Sequence, residues 1–163
     1  MKSLVVYYSR TGNAKFAAET VAAELGSDIE EIIDLRSREG KIGWISAGRD
    51  ASKEKCTQIA PTKRVPQDYD LLIIGTPVWA WRPVCAIRTF LGLNDLSGKK
   101  VALFFALDND LKQAVEKTKA LMPNSRFVGE LALIKALKNR EETEKKIAVW
   151  CNTLKKLANN VEN

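Results

Sequence analysis

The chain has 163 residues, of which 45% are hydrophobic and 28% charged, a composition that supports a folded core and argues against disorder. Its formal net charge is +6, and it contains no histidine. The absence of histidine excludes Ser-His-Asp and Cys-His triads, HExxH metal sites and imidazole acid–base chemistry. We therefore predict no catalytic residue and no metal site, and expect any chemistry to reside in a bound cofactor.

Cysteine spacing and hydropathy indicate the cellular location of the protein. The three cysteines, Cys56, Cys85 and Cys151, are too far apart for a CxxC site or a disulfide framework. The longest charge-free run near the middle, 71–81, has eleven residues, whereas a membrane helix needs about 20. The apolar run 4–8 is too short for a secretory signal. We predict a cytoplasmic protein without membrane insertion, with one domain over residues 1–163.

Five strands are predicted in chain order. Three continuous apolar runs, 4–8, 71–74 and 101–105, predict strands buried on both faces, as in a parallel sheet. The run 29–35 contains interspersed charges and predicts a less buried strand, and 127–134 predicts an edge strand.

Helical patterns separate and follow these strands. Apolar residues at helical spacing predict helices over 13–25, 83–93, 110–122 and 140–161. Strands that alternate with helices and are joined by right-handed crossovers predict an α/β fold, a three-layer doubly wound sandwich.

One connection, 36–66, is too long for a usual loop. It contains eight basic against three acidic residues, and a short helix is predicted over 46–55. We interpret it as an irregular basic segment and a candidate partner surface. The basic residues of the C-terminal part alternate with glutamates, as on solvated helix faces, so no nucleic-acid partner is predicted.

The loop after the first strand carries hydroxyl groups and a glycine at the start of a helix. Its residues are Ser9, Arg10, Thr11, Gly12, Asn13 and Ala14. Such a loop offers backbone and side-chain donors to a phosphate, and the helix dipole adds to the attraction. Simple N-capping of the helix is the alternative interpretation. The loop matches neither GxGxxG nor GxxxxGK[ST], which disfavours a dinucleotide or a P-loop nucleotide.

A second loop follows the central strand and contains two tryptophans. Its residues are Thr76, Pro77, Val78, Trp79, Ala80 and Trp81. Two indole rings in an exposed loop are costly unless something stacks on them, so a flat aromatic ligand is favoured. In the alternative, Trp81 covers the core and Trp79 packs against the 36–66 segment.

Together these motifs resemble the flavodoxin family, in its short-chain, flavodoxin-like branch. The resemblance covers nearly the whole chain and rests on residues 8–13, on 75–79, and on 84–91 leading to 96–101. It implies a five-stranded parallel sheet of order 2-1-3-4-5 with FMN at the point where the winding reverses. In that family the first loop wraps the FMN phosphate and the second covers the isoalloxazine ring.

The resemblance assigns roles by position. It implies that the side chains of Ser9, Thr11 and Asn13 and the main chain of Arg10, Gly12 and Ala14 hold the phosphate. It implies that Thr76, Pro77, Val78, Trp79 and Ala80 line the ring, with Trp79 stacked on it. The loop after the fourth strand, with Ala106, Leu107 and Asp108, then lies on the other side of the ring.

Two departures from the family pattern bear on the cofactor. Ala14 stands where the family usually has a hydroxyl residue, so we expect one phosphate hydrogen bond to be lost, at a cost of about 0.5–1.5 kcal/mol. The loop after the fourth strand has no glycine and no aromatic residue, and carries Asp108 and Asp110 instead. Carboxylates beside the ring disfavour a negatively charged reduced cofactor.

The resemblance implies an FMN-binding electron-transfer protein that serves redox partner proteins. Because this chain is basic, we expect partners with acidic docking patches; no oligomeric state is predicted. Two alternatives stay open: an FMN-dependent NAD(P)H:quinone-type oxidoreductase, and a binding module that has lost its cofactor and works through 36–66. The carrier is favoured over the oxidoreductase because the sequence contains no GxGxxG nicotinamide site and no histidine to move protons.

Overall fold

A computed structural model describes the backbone over residues 1–159 and the side chains over residues 1–157. The chain alternates strands and helices. The strands are β1 (Ser3–Tyr7), β2 (Asp28–Glu31), β3 (Leu71–Trp79), β4 (Arg82–Pro83), β5 (Lys100–Leu107) and β6 (Arg126–Ile134). The helices are α1 (Asn13–Leu25), α2 (Gly40–Ser52), α3 (Cys85–Leu93), α4 (Ala114–Lys119) and α5 (Arg140–Asn159). The predicted end of the last helix, at residue 161, lies outside the described residues.

The five long strands form a parallel sheet in the order β2-β1-β3-β5-β6, and the short β4 pairs antiparallel with the end of β3. In the centre of the sheet, Val5 pairs with Ile73, and Ile73 with Ala102. If the two-residue β4 is not counted, this order is 2-1-3-4-5. The prediction of a doubly wound, flavodoxin-like α/β fold is therefore confirmed, with β6 as the predicted edge strand.

Helices cover both faces of the sheet because its central strands are apolar on both sides. The α1 and α5 residues Val21 and Ile147 pack with Val5 and Phe104 on one face. On the other face, α3 and α4 pack against alternate residues of the same strands. Burial on both faces explains why the central strands are continuous apolar runs rather than alternating ones.

Several elements differ from the sequence prediction. Strand β3 continues to Trp79, so residues 75–79, predicted as part of a loop, extend the strand, and the short β4 was not predicted. Strand β2 ends at Glu31 rather than at residue 35. The segment 36–66 is not irregular throughout, because α2 occupies Gly40–Ser52, earlier than the helix expected over 46–55. Helix α4 spans Ala114–Lys119 instead of 110–122. At its start Lys112 has a φ of 37°, a left-handed conformation that interrupts the helix. Within the described residues, no helix is long and apolar enough to span a membrane.

Candidate cofactor site

A cavity of about 660 Å³ lies at the carboxyl ends of β1, β3 and β5, where a doubly wound sheet binds ligands. Its volume falls within the range of about 300–1,000 Å³ typical of small-molecule sites. Three loops and one helix line it. The lining residues are Arg10, Thr11, Asn13, Ala14, Trp44, Ile45, Ala47, Gly48, Arg49, Pro77, Val78, Trp79, Ala80, Trp81, Ala106, Leu107, Asp108, Asn109 and Asp110.

The first loop leaves the start of α1 open to an anion. Within the described chain, α1 has no side-chain cap and no acidic residue in its first turn, and Gly12 takes the cap position with a φ of 90°. The Ser9 hydroxyl accepts a hydrogen bond from the Gly12 N–H at 3.1 Å, outside the helix. The first N–H groups of a helix have no intrahelical acceptor, so those of α1 can bind a ligand. The alternative interpretation of the loop, side-chain N-capping, is wrong.

Asn13 fixes the shape of this loop. Its Nδ2 donates to Thr11 Oγ1 at 3.1 Å, and its Oδ1 accepts from the Leu137 N–H at 2.9 Å. The second bond ties the start of α1 to the segment between β6 and α5. These two hydrogen bonds hold the loop and the start of α1 in one arrangement.

The second loop is a tight hairpin that separates its two tryptophans. Ala80 and Trp81 form the two-residue turn between β3 and β4, with φ values of 49° and 56°. Trp79 is half-buried and meets the ring of Tyr8 edge-on, with centroids 5.7 Å apart. Trp81 is 47% exposed and lines the cavity, so it does not cover the core as the alternative interpretation had it. Burial, aided by the charge of Asp34, raises the pKa of Tyr8 to about 12.

Thr76 supports the second loop from below. It is buried, and its hydroxyl donates to the Pro77 carbonyl at 2.8 Å and accepts from the Val84 N–H at 3.3 Å. Just before it, Gly75 allows β5 to approach, because a Cβ there would lie 2.0 Å from the Phe104 ring. Thr76 therefore holds the loop in place without lining the cavity.

The third loop brings negative charge to the cavity. Ala106 and Leu107 are buried at the end of β5, and the exposed Asp108, Asn109 and Asp110 follow at the cavity wall. The carboxylates thus lie at the cavity, as the sequence predicted.

Helix α2 forms a wall that the sequence analysis did not predict. It contributes Trp44, Ile45, Ala47, Gly48 and Arg49. Gly43 lets this helix pack against the main chain of Arg38, because a Cβ at position 43 would lie 2.3 Å from the Arg38 carbonyl carbon. Among the motifs noted in the sequence, only the unusual length of the 36–66 connection pointed to this wall.

A buried arginine anchors α2 to the segment that follows β2. Arg38 pairs with Asp50 at 2.7 Å and with Asp34 at 3.1 Å, and all three side chains are almost fully buried. The hydrogen bond from Arg38 lowers the pKa of the Asp50 carboxyl, against the opposing effect of burial. Arg10 Nε donates to the Arg38 carbonyl at 2.7 Å, which connects the first loop to the same anchor. The two walls of the cavity are therefore held together.

Eleven of the fourteen predicted site residues line the cavity. They are Arg10, Thr11, Asn13, Ala14, Pro77, Val78, Trp79, Ala80, Ala106, Leu107 and Asp108. Ser9, Gly12 and Thr76 support the loops without lining it. The cofactor contacts of all fourteen stay predictions.

Comparisons with known proteins agree with this architecture. The flavoprotein from Lactobacillus acidophilus NCFM in complex with FMN is 23% identical, with a TM-score of 0.71 over 85% of this chain and 97% of its own. A Bacteroides uniformis protein provisionally named a flavoprotein is 24% identical, with a TM-score of 0.77 over 88% and 96%. Oxidised Flavodoxin 2 from Bacillus cereus is 20% identical, with a TM-score of 0.60 over 96% and 99%.

The TM-scores show that these proteins share the fold of this chain. A search of curated proteins finds no significant match to the sequence. The family model described as flavodoxin, in contrast, matches residues 2–154, nearly the whole chain. As the motifs of its first two loops predicted, this chain belongs to the flavodoxin family.

Proposed function

We propose that this protein binds FMN and transfers electrons to partner proteins. The observation that carries the proposal is the open, uncapped start of α1 in the same cavity as Trp79 and Trp81. A phosphate fits the helix N-terminus, and a flat ring fits the apolar and aromatic second loop. The FMN complex of the similar Lactobacillus acidophilus flavoprotein supports this choice of cofactor.

The residues at the start of α1 fit the phosphate of FMN, because the phosphate would not have to displace a carboxylate from them. The Arg10 guanidinium donates to the carbonyls of Arg38 and Gly40, and among the residues that the structure describes no carboxylate forms an ion pair with it. No acidic residue stands in the first turn of α1. Both features favour a phosphate dianion at this end of the cavity.

FMN supplies the redox chemistry, and the protein supplies binding, orientation and electrostatics. Thr11, Asn13 and the first N–H groups of α1 would hold the phosphate. Trp79 would stack on the ring and exclude water from one face. Asp108 and Asp110 would make the second reduction step harder, because they place negative charge near the ring edge.

An FMN-dependent NAD(P)H:quinone-type oxidoreductase is the second candidate. One observation favours it: Trp44, Trp81 and Arg49 share the cavity, and they could stack on and neutralise a planar anionic acceptor. The third alternative, a module that has lost its cofactor, is disfavoured by the hydrogen-bonded loop at Asn13.

Two assays on the purified FMN-loaded protein separate carrier from reductase. We expect negligible steady-state oxidation of NADH or NADPH with quinones. After anaerobic photoreduction, we expect rapid transfer of single electrons to an acceptor protein. Rapid nicotinamide turnover by the protein alone would contradict the carrier assignment and favour the oxidoreductase.

A further inference from the structure

The outer side of α2 exposes an apolar cluster next to the cavity. Ile42 is 85% exposed, Trp44 64% and Ile45 62%. Ile42 and Ile45, three residues apart, lie on the same side of the helix, and Trp44 lies at the edge of that side, on the cavity wall. Large apolar side chains that are exposed together in this way often mark a binding surface. We name this surface, together with Lys41, Arg49 and Lys53 around it, the α2 face.

The charge of the α2 face is positive and not balanced locally. Lys41, Arg49 and Lys53 are exposed, and in the part of the chain that the structure describes none of them forms an ion pair. The only acidic residue in α2, Asp50, is buried and held by Arg38. Two exposed acidic residues flank the helix. Glu39 stands at its start, and Glu54, next to Lys53, is paired with Arg82 and Lys117.

The α2 face is continuous with the cavity. Trp44, Ile45 and Arg49 belong to the face and also line the cavity wall. A molecule that covers the outer side of α2 would therefore lie beside any cofactor bound there. This proximity matters for electron transfer, because the cofactor in the cavity and the redox centre of the docked molecule must come close.

Buried contacts hold α2 in position. The buried pairs of Arg38 with Asp34 and Asp50, and the close contact at Gly43, hold the helix against the segment that follows β2. A rigid surface loses little conformational entropy on association, which favours affinity.

We propose that the α2 face is the docking surface for a redox protein whose own centre is surrounded by an apolar patch and carboxylates. The proposal rests on the electron-transfer function proposed above. It follows the usual interface pattern, in which an apolar centre supplies binding energy and a charged rim supplies steering and orientation.

A basic face with a tryptophan could also meet an anionic membrane. Two observations favour a protein. The exposed apolar residues of α2 are confined to one turn, 42–45, whereas membrane-surface helices carry a longer apolar face. The same residues also form a wall of the predicted redox site, which a bilayer would seal off from acceptors.

The test uses rubredoxin, a small acidic iron protein, as the probe. Binding is measured first on cofactor-free protein by NMR titration, at low and at high salt. We expect amide shifts concentrated at 40–53, and affinity that falls as salt rises. Electron transfer is measured separately on FMN-loaded, reduced protein, where one electron converts the probe's Fe³⁺ to Fe²⁺. Cytochrome c, a basic probe, should react faster as salt rises.

A matched pair of charge-reversal variants separates the effect of the α2 face on binding from the effect of the net charge. K41E/K53E and K155E/K156E each lower the net charge by four, from +6 to +2. Neither pair lines the cavity, and Lys155 and Lys156 lie near the end of α5. We expect K41E/K53E to weaken rubredoxin binding about tenfold and the control pair less than about threefold.

A second matched pair tests the apolar centre. Ile42→Ser should weaken binding several-fold, whereas Val149→Ser, at an α5 position 70% exposed, should leave it unchanged. Circular dichroism and thermal unfolding of each variant verify that it is folded.

Several results would overturn the proposal. Equal losses in both charge pairs would show an effect of overall charge alone. Loss of binding to phosphatidylserine vesicles in K41E/K53E, with rubredoxin binding unaffected, would assign the face to membranes. A dimer that dissociates in Ile42→Ser would assign it to a second copy of this chain.

The two proposals fail in different ways. If electrons pass to rubredoxin equally fast in K41E/K53E, the electron-transfer function stands and the docking proposal is wrong. If rubredoxin docks through α2 but receives no electron from the reduced protein, the electron-transfer function is wrong, and so is the redox role of the surface.

Discussion

The ammonium group of Lys112 lies 3.8 Å from the centroid of the Trp81 ring, and this contact joins the loop after β5 to the loop after β3. Both residues have a positive φ, 37° and 56°, which is uncommon for side chains of this size. The contact therefore holds two strained loops together at the rim of the cavity. In the sequence, Lys112 follows Asp110 by two residues and Asp108 by four.

We expect Lys112→Gln to loosen this rim. A cation–π contact at an exposed site is worth about 0.5–1 kcal/mol, and Gln removes the cation while keeping a long polar side chain. A double-mutant cycle with Trp81→Leu, followed by denaturant unfolding, should give a coupling energy of this size. Lys112→Arg should retain the coupling, and a value near zero for the wild-type pair would mean that the contact contributes nothing in solution.

The two tryptophans of the second loop should respond differently to substitution. Trp79 packs on Tyr8 and the core as well as lining the cavity, so Trp79→Ala should lower the free energy of unfolding by about 1–3 kcal/mol. It should also weaken FMN binding several-fold to tenfold, because stacking is worth about 0.5–1.5 kcal/mol beyond burial.

Trp81→Ala should cost less than about 1 kcal/mol of stability, because its ring is 47% exposed. Quenching of FMN fluorescence should persist in Trp81→Ala and weaken in Trp79→Ala. The reverse pattern would transfer the stacking role to Trp81. Trp79→Phe is the matched control, since it keeps an aromatic ring at this position.

The anchor of α2 should make stability depend on pH in the acid range. Because the hydrogen bond from Arg38 lowers the pKa of Asp50 in the folded state, the stabilisation is complete above the ordinary value of 3.8. It is lost as the pH falls through the lower, folded-state pKa. Asp50→Asn should therefore destabilise the protein near neutral pH by about 2–3 kcal/mol and converge with the wild type in strong acid.

Urea unfolding at several pH values, from neutral to strongly acidic, measures this difference directly. Because the other carboxylates titrate in both proteins, the difference between the two curves isolates Asp50. A difference that does not change with pH would show that Asp50 stabilises α2 by packing rather than by its charge.

Asp108 should set the potential of the second electron. Unit charges 4 Å apart interact by about 4 kcal/mol at an effective dielectric near 20, and the exposure of Asp108 reduces this considerably. We expect Asp108→Asn to raise the second potential by roughly 10–60 mV. Glu24→Gln, an exposed charge near the end of α1 and away from the cavity, should leave it unchanged.

Much of the fold could be predicted because its signals are local. Three continuous apolar runs predicted β1, β3 and β5, and the spacing of Ala17, Val21 and Leu25 predicted α1 with its exact bounds. Two loops with hydroxyl and tryptophan residues then located the cavity at the carboxyl ends of the strands.

A short helix was predicted over 46–55, but the bounds of α2 and its place in the cavity wall were not, because the contacts that stabilise it do not show in its hydropathy pattern. Three glycines weaken its helical pattern, and Gly43 is needed only because the main chain of Arg38 packs against it. Asp50 resembles a surface residue until its pairing with Arg38 is known. The wall formed by Trp44, Ile45 and Arg49 depends on these tertiary contacts, so the spacing of apolar residues did not reveal it.

The most direct test of the account compares how tightly the purified protein binds FMN and riboflavin. These two ligands differ by the phosphate alone. We expect clearly tighter binding of FMN, since its phosphate meets the uncapped start of α1. Thr11→Glu places a carboxylate beside this helix start and should weaken FMN while leaving riboflavin unchanged, with Thr11→Val as the uncharged control. Equal affinities for FMN and riboflavin in the wild type would show that this loop is not a phosphate site, and would contradict the account.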